Sequence, residues 1–227
     1  MLLAGAACSG PAADRPPVQS GAAASPPAVQ ADPVPSAITR VGHHSENVYD
    51  MAKISNWPAA RASTDSLRSA VELLPAGDAN ADVARSLRDT VRAVADTLDR
   101  GVTARDKGKA MRSANRLTQL GAIMATPYGP RTPAGVTLLD FYGRELEFWA
   151  AIPTGPAEAR LRETAAAVRS TWDEIRPQVI ARGGSSEAAS FDSLVSRVTA
   201  ARTRTAYAEL ATPVLDQVDF LERVFTR

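Results

Sequence analysis

Apolar side chains recur every three or four residues along most of the chain beyond residue 40. The longest such run without a proline covers residues 83–124. Its apolar positions include Val83, Leu87, Val91, Val94 and Leu98, followed by Met111, Leu117 and Met124. A repeat of this period is typical of an amphipathic helix that buries one stripe of side chains. The sequence therefore predicts one long helix here, packed against other helices.

Prolines indicate where helices break in the first half of the chain. The first helix is predicted over residues 42–56, and Pro58 should interrupt it, because proline lacks the N–H that a helix interior needs. A second segment then runs to about Leu74, and residues 75–80 have the composition of a turn. The long helix over 83–124 completes this half.

The second half follows the same plan. A helix that begins after Pro133 is expected to break at Pro153 and Pro156 and to continue in a further segment. The last helix is predicted over residues 187–225, with a kink at Pro213. Each half thus resembles a hairpin with a broken first arm and a continuous second arm.

The two halves also share a sequence order. A tyrosine, a tryptophan and a proline follow one another as Tyr49, Trp57 and Pro58 and again as Tyr142, Trp149 and Pro153. A duplication explains this similarity, although two unrelated amphipathic hairpins also look alike. Aromatic residues make up only 5% of the chain, which favours helices over strands. We predict an all-α fold, an up-and-down four-helix bundle of two αα-hairpins, whose first and third helices are broken at Pro58 and at Pro153/Pro156.

The amino end carries a different kind of signal. Small residues Ala6 and Ala7 precede Cys8, the only cysteine of the chain. This segment resembles the cleavage region of bacterial lipoproteins, the class processed by signal peptidase II, although Gly5 stands where that class usually has Leu, Val or Ile. The resemblance implies lipidation of Cys8. The basic part of a signal is missing, so residues 1–8 are expected to be the remnant of a longer signal.

Residues 9–40 are rich in proline, alanine, serine and glycine. Such a composition buries too little apolar surface to fold, so a disordered tether is expected, followed by a helical domain over 41–227. A tether behind a lipidated cysteine implies a periplasmic or cell-surface protein, lipid-anchored to a bacterial membrane. The alternative is a soluble protein with an alanine-rich start, in which Cys8 is a free thiol.

Composition narrows the classes of function. The 26 basic and 25 acidic side chains give a net charge of +1, so no nucleic-acid partner is expected. With a single cysteine the chain forms no internal disulfide. Neither a Gly-x-Ser-x-Gly motif nor a phosphate-binding glycine loop occurs, and we predict a non-enzymatic protein that needs no cofactor.

Polar residues should gather at one end of the bundle, where the first helix begins and the second ends. Imidazole and carboxylate groups on facing helices are how bundles hold metals. The candidate ligands are His44, Asp140, Glu147 and Asp216. Haem held by His44 with Met51 or Met111 is a related alternative. Both histidines of the chain are adjacent, at 43 and 44, which is not the Glu-x-x-His spacing of di-iron bundles. Solvated or capping roles for these residues are the competing interpretation.

Three tryptophans form a second candidate site. Trp57, Trp149 and Trp172 lie near predicted helix breaks and could line a ligand cleft, since aromatic residues favour pockets. Packing in the core at the kinks is the preferred explanation. The sequence thus predicts a binding or scaffold module of the cell envelope, for a protein partner or a small ligand, with a metal- or haem-binding bundle as the alternative.

Overall fold

The computed structural model describes residues 33–75, 81–153 and 155–227, with residues 81–84 as backbone alone. The predicted lipidation site at Cys8, the signal remnant over 1–8 and most of the predicted tether over 9–40 lie outside the described residues. None of the described helices is both long and apolar enough to cross a membrane.

The described part of the chain is all-α, as predicted, and no strand occurs in it. It forms eight α-helices: α1 (Ser36–Lys53), α2 (Trp57–Glu72), α3 (Ala81–Thr103), α4 (Lys107–Ala125), α5 (Ala134–Ala150), α6 (Ala157–Ala181), α7 (Ser185–Ala200) and α8 (Arg204–Thr226). A single 3₁₀ turn, Thr126–Tyr128, follows α4.

The breaks predicted at prolines are confirmed. Pro58 lies in the first turn of α2, where a missing N–H costs nothing. The Asn56 side chain caps this helix by accepting a hydrogen bond from the N–H of Ala59 at 3.3 Å. Pro156 likewise precedes the start of α6. The chain therefore changes direction at both positions.

The two long arms predicted as continuous helices are each divided, which corrects the prediction. Between α3 and α4, Arg105 takes a left-handed φ of 53°, and the Asp106 side chain accepts the N–H of Lys109 at 2.9 Å as a cap. Between α7 and α8, Thr203 caps α8 through the N–H of Ala206 at 3.2 Å. In both places a short connection is sufficient, because a capping side chain accepts a backbone N–H in the first turn of the helix that follows.

Two further boundaries differ from the sequence prediction. Helix α1 begins at Ser36, not at Gly42, so the last residues assigned to the tether are helical, and Ala37 and Ile38 are buried. Pro213 lies inside α8, which continues on both sides of it.

Helix packing follows one scheme in each half. In the first half α1 packs against α2 and α4, and α3 packs against α2 and α4. In the second half α5 packs against α6 and α8, and α7 packs against the same two helices. One apolar core, here the first core, is formed mainly by α1–α4, and a second core by α5–α8.

The buried stripes are rotated slightly from their predicted positions. On α3 the buried residues are Val91, Ala95, Leu98 and Val102, whereas Leu87 is only partly buried. The centre of the buried face of α3 is therefore displaced by about one residue from the face that the apolar residues predicted.

Helix α5 joins the two halves. None of its residues 134–150 is exposed. Leu139 and Leu146 belong to the second core, Phe148 belongs to the first core, and Trp149 packs against both. Because α5 also packs against α4, its polar side chains are held inside the protein, where they form the candidate site.

Candidate functional site

A polar cluster lies between α1 and α5. We call it the α1–α5 polar cluster, and it comprises Glu46, Tyr49, Asp50 and Lys53 of α1 with Asp140, Arg144 and Glu147 of α5. On each helix these residues are spaced by three or four, so they share a face. The charged side chains of α1 and α5 thus lie next to each other, although the two helices are nearly a hundred residues apart in sequence.

Arg144 is the cationic centre of this cluster. Its Nη1 donates to Oδ1 of Asp50 at 2.6 Å, and its Nε donates to Oδ2 of Asp140 at 2.9 Å. The Arg144 and Asp140 side chains are only 11% and 16% exposed. The guanidinium also lies 4.8 Å from the ring centre of Tyr49, a cation–π contact. Arg144 is therefore fully engaged by neighbours on both helices.

Glu147 is the second residue of α5 that contacts α1 within the cluster. Its Oε2 lies 3.0 Å from the Tyr49 hydroxyl, which is also 3.1 Å from the backbone oxygen of Arg144. Lys53 forms an ion pair with the same carboxylate. Burial raises the pKa of the Tyr49 phenol, and the Glu147 charge raises it further. Tyr49 therefore stays neutral and acts as a hydrogen-bond donor.

A cavity of about 300 Å³ opens beside this cluster. Helices α1, α4, α5 and α8 all contribute to its wall, among them Ile38, His43, Glu46, Thr118, Thr137 and Glu222. Gly42 of α1 and Gly121 of α4 also line it, and a Cβ at position 121 would lie 3.6 Å from the backbone nitrogen of Gly42. The two glycines let α1 and α4 approach closely at this wall.

Glu46 is the most perturbed carboxyl group in the cavity wall. Burial raises its pKa to about 8, and the negative charges of Asp140, Glu222 and Asp50 add to the shift, whereas Arg144 opposes it. A carboxyl group with this pKa is largely protonated at neutral pH. The cavity can therefore take up or release a proton at Glu46 near physiological pH.

Two neighbours of Glu46 share this behaviour. Burial raises the pKa of Glu222, and the charges of Asp140 and Asp219 raise it further. Burial also raises the pKa of Asp140, although its ion pair with Arg144 opposes the shift. The carboxyl groups around the cavity thus outnumber the positive charges that face them.

Polar atoms in the cavity wall lack partners. The hydroxyl of Thr118, a residue with 0% exposure, makes no hydrogen bond within the described residues. Buried polar groups are normally hydrogen-bonded, so such an atom requires an explanation. The carboxylates of Glu46 and Glu222 also accept no hydrogen bond from the described part of the chain. The cavity therefore offers hydrogen-bonding capacity that the described residues do not use.

The structure does not gather the predicted metal ligands. Asp140 is bound by Arg144, Glu147 is bound by Tyr49 and Lys53, and Asp216 is exposed on α8. Over the described ranges, no group of three or more His, Cys, Asp and Glu side chains is arranged to hold a metal ion. Arg144 and Lys53, which the sequence prediction did not consider, form ion pairs with Asp140 and Glu147.

His44 lies apart from those carboxylates. Burial lowers its pKa, with the charges of His43 and Arg40 adding to the effect, and the two histidine rings are 5.4 Å apart. Of the methionines considered for haem, Met111 is buried in the first core and Met51 is packed at its edge. Both methionine side chains thus pack in or against the first core.

The three tryptophans lie outside the cavity wall. Trp57 packs on the first core, and Trp149 donates from Nε1 to Glu145 at 2.8 Å. Trp172 is buried and donates from Nε1 to Asp192 at 2.7 Å. None of the three lines the cavity between α1, α4, α5 and α8.

A second cavity, of about 450 Å³, lies where the loop before α5 meets the end of α6. Its wall includes Arg131, Gln178, Arg182 and Phe225, and Gln178 and Arg182 are exposed. Its lining includes no buried polar atom without a partner. The smaller cavity beside Glu46 is therefore the candidate site.

Several residues of the site were missed by the sequence analysis. Arg144 follows Asp140 by four positions, which is the spacing of a helical ion pair and the one available signal. Nothing in the sequence marks Glu222 or Thr118, because their role depends on which helices meet. The polar residues were expected at a bundle end, and of the seven residues in the α1–α5 polar cluster the candidate ligands included Asp140 and Glu147.

The fold and site together define an all-helical protein with an open cavity lined by two glutamates, Glu46 and Glu222. Comparisons with protein families, with curated proteins and with solved structures found no match.

Proposed function

We propose that this chain is a non-enzymatic binding module of a bacterial cell envelope, and that its helical body binds a small ligand in the cavity beside Glu46. The observation that supports binding is the cavity wall, in which the buried hydroxyl of Thr118 has no partner within the described residues and lies with the half-buried Glu46 and the exposed Glu222. Small-molecule sites commonly combine apolar walls with a few such polar groups. A ligand that binds the Thr118 hydroxyl would satisfy this buried group.

Cavity blocking tests this proposal. Gly42 lines the cavity and a Cβ there meets no atom within 4 Å, so Gly42→Phe is the variant chosen to block the cavity. We expect a screen of small polar compounds, grouped by charge and followed by thermal denaturation, to find compounds that stabilise the native protein and not Gly42→Phe. Gly108→Phe, a glycine on α4 outside this wall, is the matched control.

Either of two results would overturn ligand binding in the cavity. One is that no charge class stabilises the native protein. The other is that a stabilising compound acts equally on Gly42→Phe. A protein partner that binds native protein and Gly42→Phe alike would place recognition outside the cavity.

The envelope location is part of the proposal and rests on the sequence around Cys8. A lipidated Cys8 would hold the helical body at a membrane through the segment that follows it. Cys8→Ala, expressed from the native gene, is expected to move the protein from the membrane fraction to the supernatant. Ser9→Ala is the control, and an unchanged distribution of Cys8→Ala would rule out lipidation.

The architecture that we propose modifies the predicted bundle of two αα-hairpins. In place of four long arms, α1–α4 and α5–α8 would each be an up-and-down four-helix unit, related by duplication. Support comes from the repeated packing scheme and from matching buried positions such as Leu117 with Val218 and Leu120 with Leu221. Helix α5 would then be the element shared between the units.

A further inference from the structure

We propose that the ligand of this cavity is a small organic cation, a protonated primary amine or diamine, held between the carboxylates of Glu46 and Glu222. This inference rests on the proposed function and specifies the chemical class of ligand.

The balance of charge around the cavity is negative. Two carboxyl groups line the cavity, that of Glu46 on α1 and that of the solvent-exposed Glu222 on α8. The charges of Asp50, Asp140 and Asp219 raise the pKa of one or both of them. Arg144 opposes the shift at Glu46, but its hydrogen bonds go to Asp50 and Asp140. His43 of α1 also lines the wall, and its ring is hydrogen-bonded to Asn47. Within the described residues, neither Glu46 nor Glu222 forms an ion pair of its own.

The hydroxyl of Thr118 is an observation independent of the acidic groups. Thr118 is wholly buried on α4, lines the cavity and has no hydrogen-bond partner within the described residues. An ammonium group has three N–H donors and no acceptor. Two carboxylates and a hydroxyl oxygen can together accept all three of these hydrogen bonds.

The wall favours an organic cation over a metal ion. Divalent cations need several oxygen ligands converging at short distance, and the described residues contain no such group. The wall also carries apolar side chains, among them Ile38 and Ala122, which can pack against methylene groups. A volume of about 300 Å³ accommodates a short alkyl chain with one or two ammonium groups.

Proton release should accompany binding. Burial raises the pKa of Glu46 to about 8, so at neutral pH the group must lose its proton to pair with a cation. An alkylammonium group keeps its charge up to about pH 10, like lysine. The affinity should therefore increase by about tenfold or more between pH 6 and pH 9, since each pKa unit corresponds to a factor of ten.

Titration calorimetry with 1,4-diaminobutane tests the proposal on the full chain. We expect binding to the native protein, at least tenfold weaker binding to Glu46→Gln and to Glu222→Gln, and an unchanged dissociation constant for Glu209→Gln. Glu209 lies exposed on α8 and is the matched control. Circular dichroism melts of each variant verify folding, and glutamine keeps the shape of a protonated glutamate.

Neutral and inorganic probes separate the possible outcomes. 1,4-Butanediol has the same length without the charge, and it should bind at least tenfold more weakly. Equal binding of the diol would overturn the cation while leaving a ligand cavity in place. Magnesium or calcium chloride that displaces the diamine at equimolar concentration would also overturn it. Absence of binding by every probe, together with no effect of Gly42→Phe in the wider compound screen, would overturn the proposed function itself.

Discussion

The carboxyl group of Glu46 combines partial burial with the absence of a hydrogen-bond donor. Its native pKa of about 8 lies above its usual value of 4.5. The folded protein thus binds this proton more tightly than the unfolded chain does. The stabilising contribution is fully present below about pH 4.5 and is lost as the pH rises through about 8.

Glu46→Gln should remove this pH dependence. We expect the free energy of unfolding of the native protein, relative to Glu46→Gln, to fall steadily between pH 5 and pH 9. Urea denaturation of both proteins across this range measures the difference, with Glu209→Gln as a reference that should show no such trend. A difference that stays constant with pH would contradict the assignment.

Arg144 presents the opposite situation, a buried cation with two anionic partners. Arg144→Met leaves Asp140 buried without compensation, and removal of one partner from a buried pair costs about 3–5 kcal/mol. Asp140→Asn added to Arg144→Met should recover part of the loss, because the two changes are coupled. Denaturant unfolding measures both effects.

Arg160→Met is the control for this prediction. Arg160 pairs with Glu163, and both side chains are more than half exposed, so the loss should stay below about 0.5 kcal/mol. A loss below about 1 kcal/mol for Arg144→Met would show that Asp140 is solvated in the native protein.

At the scale of the helices, the buried stripe of α3 separates two leucines that look alike in the sequence. Leu98 is completely buried, whereas Leu87 lies at the edge of the first core. Leu98→Ala should therefore cost about 2–4 kcal/mol through the cavity that it leaves. Leu87→Ala should cost at least about 1 kcal/mol less, because less of its surface is buried.

Denaturant unfolding of the two variants is the measurement for this pair. Equal losses would mean that Leu87 is as deeply packed as Leu98. A larger loss for Leu87→Ala would contradict the position of the stripe.

The sequence predicted the helices better than it predicted their ends. Proline has a fixed backbone chemistry, so Pro58 and Pro156 marked two breaks correctly. The break at Arg105 involves a left-handed arginine and an aspartate cap, and neither residue type is specific to a helix end. Apolar periodicity fixes a buried face only to within one residue, which explains why Leu87 of α3 is only partly buried whereas Ala95 is buried.

The candidate site could be predicted only in part for a related reason. Asp140 and Glu147 were named as candidates because carboxylates on facing helices can hold a metal. Their partners depend on which helices are neighbours, and α1 meets α5 across 94 residues of sequence, as the hydrogen bond between Arg144 and Asp50 shows. The pattern of apolar and polar residues along one helix does not indicate which other helix it will contact.

At the scale of the whole helical body, α5 makes the two cores dependent on each other. Its side chains enter both cores, and the α1–α5 polar cluster adds contacts between the halves. Separation of the halves would expose one face of α5 and break both the ion pair between Arg144 and Asp50 and the hydrogen bond between Tyr49 and Glu147. We therefore expect residues 33–227 to unfold in one cooperative transition.

Differential scanning calorimetry tests this expectation. The calorimetric enthalpy should equal the van't Hoff enthalpy, which is the criterion for two-state unfolding. Two resolved transitions, or a van't Hoff enthalpy near half the calorimetric value, would show that α1–α4 and α5–α8 unfold independently.

The position of Trp149 between both cores has a practical consequence. Trp57 packs on the first core and Trp172 is buried in the second, so each indole senses a different part of the protein. If Trp57 and Trp172 were replaced by phenylalanine, the remaining fluorophore would stand at the seam, with its N–H bound to Glu145. Its emission wavelength would then give an optical readout of water entering between the halves.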